Sequence, residues 1–267
     1  MKPLAGIFLA TFRLVVITFS MLITVVLGII LKFFKLLDQE KAFVIRTWWC
    51  KFALHVLGIK IIHNEFPALN SASLFVSNHR SLIDPVILFS FIRNGYAVSK
   101  AEVRNYPVIN KGAELSGVVY VDRTDKDSRS ATRKAIAQSL TFGHSVVLFP
   151  EGTISIQRQI LPFRKGGFEA CAESNCQVVP IAMEYMNPRR DFWFSKHLLV
   201  QFYVTFSKWK TEVRLHFFDP FKCNNAKENC EDTARIIQAK LDDFQKFWLT
   251  GNIPAELTQI ENPAKLN

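Results

Sequence analysis

Four short stretches of the chain are apolar without interruption: 74–76 (Leu-Phe-Val), 118–121 (Val-Val-Tyr-Val), 146–149 (Val-Val-Leu-Phe) and 178–183 (Val-Val-Pro-Ile-Ala-Met). A strand with one wet face alternates polar and apolar residues, so a strand that does not alternate needs cover on both faces. Parallel sheets wrapped by helices meet that condition. Residues 59–62 (Ile-Lys-Ile-Ile) alternate like a half-buried edge strand, 212–217 (Glu-Val-Arg-Leu-His-Phe) like a strand exposed on one face, and 96–99 is a weaker candidate. Pro180 has no N–H for a ladder, which assigns it to an edge or a bulge. Between the strands, helical patterns are expected near 127–142, 163–173 and 232–249. The last places Ile237, Leu241, Phe244 and Trp248 on one face and is stopped by Gly251 and Pro254. Strand–helix alternation of this kind predicts an α/β fold, a largely parallel sheet flanked by helices on both faces.

The first 58 residues follow a different pattern and are read as a separate membrane-anchoring helical segment, with residues 59–267 as the second domain. Residues 14–31 carry no charge, and a run of about 18 such residues is near the lower limit for spanning a bilayer. Arg13 closes it on one side, Lys32 and Lys35 on the other. No small-x-small cleavage site follows, which argues against a removed signal peptide. Residues 42–57 are amphipathic, with Ile45, Trp48, Trp49, Phe52 and Val56 at helical spacing and Arg46 and Lys51 alongside. Paired Trp with basic neighbours suits an interfacial helix, and a helix packed on the second domain is the other reading. Lys32, Lys35, Lys41, Arg46 and Lys51 outnumber Lys2 and Arg13, which predicts a catalytic domain on the cytoplasmic face.

A formal charge of +10 suits an anionic membrane or a phosphorylated small molecule. Nucleic acid is disfavoured, because the basic residues are not grouped around aromatic motifs and an anchor has no use there. The five cysteines lack C-x-x-C spacing and read as reduced thiols; the six histidines show no H-E-x-x-H, so no metal or other cofactor is expected.

Chemistry-bearing residues gather where open α/β sheets place their sites, just past the carboxyl ends of strands. After strand 74–76 comes Asn78-His79-Arg80-Ser81-Leu82-Ile83-Asp84-Pro85. Asp84-Pro85 reads as a helix start, with Asp84 as N-cap and Pro85 at the first helical position. A four-residue turn can then bring the carboxylate to Nδ1 of His79, leaving Nε2 free to take a proton. Strand 118–121 ends in Asp122-Arg123, whose guanidinium fork suits a phosphate, although an ion pair between neighbours is equally common. Strand 146–149 ends in Pro150-Glu151-Gly152-Thr153, where a positive φ at Gly152 lets the Gly152 and Thr153 amides cradle an oxyanion; a plain turn explains the same residues.

The four stretches together, His-x-x-x-x-Asp, Gly-x-x-x-x-Asp-Arg, Phe-Pro-Glu-Gly-Thr and Val-Pro-Ile, resemble the glycerolipid acyltransferase family, closest to its lysophosphatidate acyltransferases. The resemblance runs from about residue 63 to 221 and includes Leu161-Pro162-Phe163-Arg164-Lys165-Gly166-Gly167. It implies transfer of an acyl chain from acyl-CoA or acyl-carrier protein to a lysolipid hydroxyl at a membrane bilayer. It implies His79 and Asp84 as the catalytic pair, Arg123 and Glu151-Gly152-Thr153 as the holders of phosphate and glycerol, and Lys100 as a weaker phosphate contact. The sequence departs from the pattern at Ile154, where members specific for lysophosphatidate often have Arg. The acceptor is therefore lysophosphatidate with Arg158 or Lys165 supplying the charge, or a less anionic lysolipid such as a lyso-ornithine lipid or a lysophospholipid. A non-catalytic membrane-binding protein that docks its basic face on anionic lipid is the rival from another class, and the intact His79/Asp84 pair argues against it. The chemistry is coherent with these residues: an alcohol is a poor nucleophile until a base within hydrogen-bond reach removes its proton, and an imidazole steadied by a carboxylate can do so. A serine hydrolase would need Gly-x-Ser-x-Gly, which 143–147 does not provide, and no P-loop is present.

Overall fold

The structure is a computed structural model and describes residues 3–100, 112, 117–121, 126–195 and 197–248. Its centre is an eight-stranded sheet of β1 (Ile59–His63), β2 (Ser73–Ser77), β3 (Gly95–Lys100), β4 (Val118–Val121), β5 (Ser145–Leu148), β6 (Gln177–Tyr185), β7 (Thr211–Phe217) and β8 (Phe221–Lys222). The order is β1-β7-β6-β2-β5-β3-β4, with β8 beside β6. All neighbouring pairs run parallel except β6 with β7 and with β8, so the expected largely parallel sheet holds. β1 is an edge strand, as its alternation implied, and β7 alternates buried and half-buried side chains along its length.

Pro180 sits at a bulge, as expected: Ile181 pairs with Phe217 but Val178 with Phe221, so three residues, 218–220, stand opposite Val179 and Pro180. Pro180 lies inside β6, opposite Val76 of β2. Its carbonyl accepts from the Phe218 N–H, so its nitrogen faces the same side, where β7 has ended and β8 has not yet begun. The ladder loses nothing there, because no acceptor strand is present opposite that nitrogen.

Helices cover both faces. α2 (Gln39–Leu57) and α3 (Asp84–Phe89) bring Cys50, Leu54, Ile87 and Leu88 against Phe75, Val147, Val179 and Met183. On the other face α4 (Lys126–Thr141), α5 (Gly166–Glu173) and α8 (Ala226–Gln245) bring Ile136, Leu140, Phe168, Cys171 and Cys230 against Leu74, Val76, Val146 and Val178. Adjacent residues of β2 thus enter opposite cores, the physical reason those runs do not alternate. α8 begins at Asn225, whose side chain caps Lys227 and Glu228 N–H groups, and so starts a turn and more before the predicted helix.

The N-terminal helix α1 (Pro3–Phe33, 31 residues) is, among the described residues, the helix long and apolar enough to cross a membrane. Two expected features, one in α1 and one in α2, are corrected. Arg13 does not close the apolar run in solvent: it is buried mid-helix and donates to the carbonyls of Val56, Phe206, Lys208 and Trp209. Arg46 does not reach outward from α2: it donates to the Gly95 and Arg93 carbonyls and lies 3.9 Å from the ring centre of Phe89. In both cases a guanidinium finds clustered carbonyls at the ends of helices, a better site for five fixed donors than open water. Trp48 is exposed, whereas Trp49 packs on the core and donates to Ser20 Oγ of α1, so packing on the second domain holds for the face that bears Trp49.

Candidate active site

The loops after β2 and β5 leave the same edge of the sheet because those strands are parallel neighbours, and β6 on the other side of β2 points the same way. β6 outruns β2, and Asn78 fills the difference: its amide donates to the Met183 carbonyl and accepts from the Met183 N–H, a side chain taking the place of a strand residue. This fixes the backbone immediately before His79.

His79 Nδ1 lies 2.8 Å from Asp84 Oδ2. Every other contact of that carboxylate is also with a donor: the Arg80 N–H at 2.6 Å, the Ser81 N–H at 2.8 Å and, on Oδ1, the Tyr185 hydroxyl at 2.6 Å. A carboxylate that only accepts requires Nδ1 to carry the proton, which leaves Nε2 with a lone pair. No hydrogen bond engages Nε2 among the described residues. The imidazole stacks on Phe149 at 4.2 Å between centroids, and its side chain is 15% exposed against 0% for Asp84, so the base faces outward and its partner is sealed. Asp84 is not the N-cap its sequence suggested. It is the first residue of α3, and its carboxylate turns back to bind the preceding turn, so Pro85 is second in the helix, one place later than expected.

Tyr185 gave no local signal in the sequence, since it stands 101 residues from Asp84. Burial and the Asp84 carboxylate push its phenol well above the ordinary value, so it remains a donor throughout the working pH range. Arg80 is a second residue of the site without a motif of its own. It is fully buried and donates to the carbonyls of Ser155, Gln157 and Arg158, with the Glu184 carboxylate at 3.4 Å. Its place beside the histidine was the available sign.

Glu151 holds the two loops together. One oxygen accepts from the His79 N–H and the other from the Leu161 N–H, both at 2.8 Å, while the Ser155 N–H donates to the His79 carbonyl. Burial raises the pKa of this carboxyl. Its role is to fix the histidine backbone, with both oxygens committed to amides. Gly152 has the expected positive φ of 78°, but its N–H donates to the Phe149 carbonyl and closes the turn, so it is spent inside the protein. Thr153 is exposed beside it. Arg158 donates to Gln245 on α8, and Lys165 pairs with Glu169 on α5 at 3.1 Å. Arg123 lies outside the described residues, and of Lys100 only the backbone, at the end of β3 opposite Val121, is described.

The histidine–aspartate pair thus stands at the carboxyl ends of the central strands of a mixed α/β sheet, with Nε2 facing outward, an arrangement in which an imidazole can accept a proton. The family pattern described as Acyltransferase matches residues 58–184, just under half of the chain. The chain is 30% identical over 156 residues to a 1-acyl-sn-glycerol-3-phosphate acyltransferase of Chlamydomonas reinhardtii, covering 58% of this chain and 47% of that protein. It is 26% identical to a lyso-ornithine lipid O-acyltransferase of Rhodobacter capsulatus, covering 56% of this chain and 58% of that one. The chain spans about half the length of the curated relatives it matches. Among solved structures, the 1-acyl-sn-glycerophosphate acyltransferase of Thermotoga maritima shares the fold, with a TM-score of 0.69 at 19% identity over 93% of this chain and 100% of that one.

Proposed function

We propose that the protein is a membrane-bound acyltransferase that moves a fatty acyl chain from acyl-CoA or acyl-carrier protein to the free hydroxyl of lysophosphatidate, giving phosphatidate. The observation that carries this reading is the forced tautomer of His79, protonated on Nδ1 by its bond to Asp84 and open at Nε2. In the reaction Nε2 takes the proton of the acceptor hydroxyl as its oxygen attacks the thioester carbonyl. The imidazolium then faces a buried carboxylate held by three further donors, which stabilises the charge without reorganisation. Collapse of the tetrahedral intermediate breaks the C–S bond, and the leaving thiolate recovers the proton from His79. No side chain of the protein is acylated. The cytoplasmic face is part of the proposal: with Arg13 and Arg46 bound internally, exposed Lys32, Lys35, Lys41 and Lys51 still outnumber Lys2.

A second acceptor has an observation in its favour. Ile154 stands where a cation would follow Glu-Gly-Thr, and both substitutes, Arg158 and Lys165, are engaged elsewhere. A lysolipid with less negative charge, such as a lyso-ornithine lipid, needs no such cation. Membranes carrying the full chain, supplied in turn with lysophosphatidate, a lyso-ornithine lipid and a zwitterionic lysophospholipid and with each donor, decide between them. Phosphatidate formation faster than the other products supports the lead reading. Acylation of the lyso-ornithine lipid with little phosphatidate overturns the acceptor and leaves the histidine chemistry standing.

A further inference from the structure

The helix α7 (Leu198–Phe206) is built inside out for a protein in water. Its buried face holds Gln201, Phe202, Thr205 and Phe206. Its exposed face holds Leu198, Leu199, Val200 and Val204, with Leu199 at 57% and Val200 at 54% exposure. Isolated surface leucines need no explanation, but polar residues inside and a continuous aliphatic strip outside reverse the rule for soluble helices. The buried polar groups are fully employed: Gln201 Oε1 accepts from the Phe194 and Ser195 N–H groups, its amide donates to the Phe192 carbonyl, and Thr205 donates to the Arg190 carbonyl. The inversion is therefore a finished arrangement of side chains, and the one polar side chain beside the outer face, Tyr203, has its hydroxyl paired to Thr11 of α1 at 2.8 Å.

That last contact also says which surface α7 continues. Phe202, Tyr203 and Phe206 pack with Leu14 and Ile17 of α1, and Arg13 of α1 binds the carbonyls of Phe206, Lys208 and Trp209 at the end of α7. The exposed faces of the two helices, Phe8, Phe12 and Val15 on one and Leu199, Val200 and Val204 on the other, therefore belong to one rigid body. Trp209, 70% exposed, closes the strip with the exposed Lys210 beside it, the residue types found at the level of lipid headgroups. At 9 residues α7 is about 14 Å long, too short for a hydrocarbon core of about 30 Å, so it can only lie along the surface. We propose that α7 is a second bilayer-contacting element, seated flat in the interfacial layer beside α1. This rests on the membrane-bound reading above and extends it to a segment 140 residues beyond the N-terminal helices. Its consequence is positional. Ile83, next to Asp84, packs on the Phe202–Phe206 side of α7, so seating α7 brings the mouth of the site to the depth where a lysolipid hydroxyl lies.

The test uses the full chain on vesicles of phosphatidylcholine and phosphatidylglycerol. In a Cys176→Ser background, the other four cysteines being buried, Leu199→Cys and, as a control on α8, Lys227→Cys each carry an NBD fluorophore. Flotation reports whether the chain is on the membrane. The expected result is that the label at 199 is quenched by lipids brominated near the carbonyl and loses most of its quenching by aqueous iodide, whereas the label at 227 does neither. A label at 199 that iodide still reaches on floated protein overturns the proposal while the α1 anchor stands. A label shielded from both quenchers also overturns it, in favour of a second copy of the chain covering the strip. None of these readouts needs turnover, so failure of acyl transfer sinks the proposed function without touching this result.

Discussion

At the scale of single residues the site is a set of donors converging on one carboxylate, and its variants should separate chemistry from folding. His79→Ala is expected to lose about 10²–10⁴-fold or more in kcat, with an unchanged circular dichroism spectrum, because general-base assistance is removed and a half-buried ring is all that leaves. Asp84→Asn should be comparably damaging, since an amide can present its NH₂ to Nδ1 and favour the wrong tautomer. Activity within a few-fold of wild type in either variant would end the assignment, as would an acyl group trapped on the protein after donor alone is added. Tyr185→Phe removes one donor from Asp84 Oδ1 and leaves that buried oxygen without its partner. We expect kcat to fall about tenfold at unchanged apparent KM, the signature of a residue that positions the carboxylate and never meets the acceptor. His79 and Asp84 were legible in the sequence because a short turn joins a strand end to a helix start. Tyr185 was not, because its partner is supplied by a strand 101 residues away and only the sheet order brings them together.

At the scale of elements, the junction of α1, α2 and α7 is the part the sequence misplaced. An arginine beside an apolar run reads as a boundary when only composition is considered; in the fold the same arginine is enclosed by four carbonyls from two segments that nothing local connects. Gly58 marks the spot. It ends α2 at a φ of 69°, and a Cβ there would meet the Arg13 guanidinium and the Trp209 carbonyl. Gly58→Ala should destabilise the protein by about 1–2 kcal/mol or more, from the left-handed backbone and the collision together. Thermal unfolding in detergent should show this as a Tm lowered by about 2–4 °C per kcal/mol. Membrane flotation should persist in the same variant, because α1 retains its apolar face.

At the scale of the whole molecule, attachment and pH response have different sources. Apolar burial by α1 should hold the protein through a high-salt wash and release it to detergent, since screening weakens only the smaller contribution of the lysines. Release by salt alone would mean that the N-terminal segment has been misread. Stability should fall as pH rises from about 4 to 7, in part through Asp191. This residue ends α6 (Pro188–Asp191), and its carboxyl is pushed up to about 6 by burial despite Lys208 at 2.7 Å. A carboxyl whose folded pKa exceeds its unfolded value binds more protons in the native state, so its contribution is complete below about pH 4 and is lost as pH passes 6. Asp191→Asn should flatten the denaturation free energy over that interval by a few kcal/mol relative to wild type. At this scale the sequence was most readable. Non-alternating runs announced strands covered on both faces, and the amphipathic C-terminal helix announced one of the covers. The antiparallel return of β7 was not announced, because alternation reports exposure and carries no information about direction.

The shared carboxylate of Glu151 bears on how such a protein can diverge. Because its two oxygens are divided between the backbone of His79 and that of Leu161, the turn bearing the base and the loop beyond Gly152 cannot be exchanged separately between relatives. A transplanted loop of different length would drag the imidazole out of line, whatever residues lined it. New acceptor preferences are therefore open to single replacements such as that at position 154, which alter the lining and keep the hinge points. Chimeras that swap both loops along with their glutamate should remain competent where single-loop swaps do not.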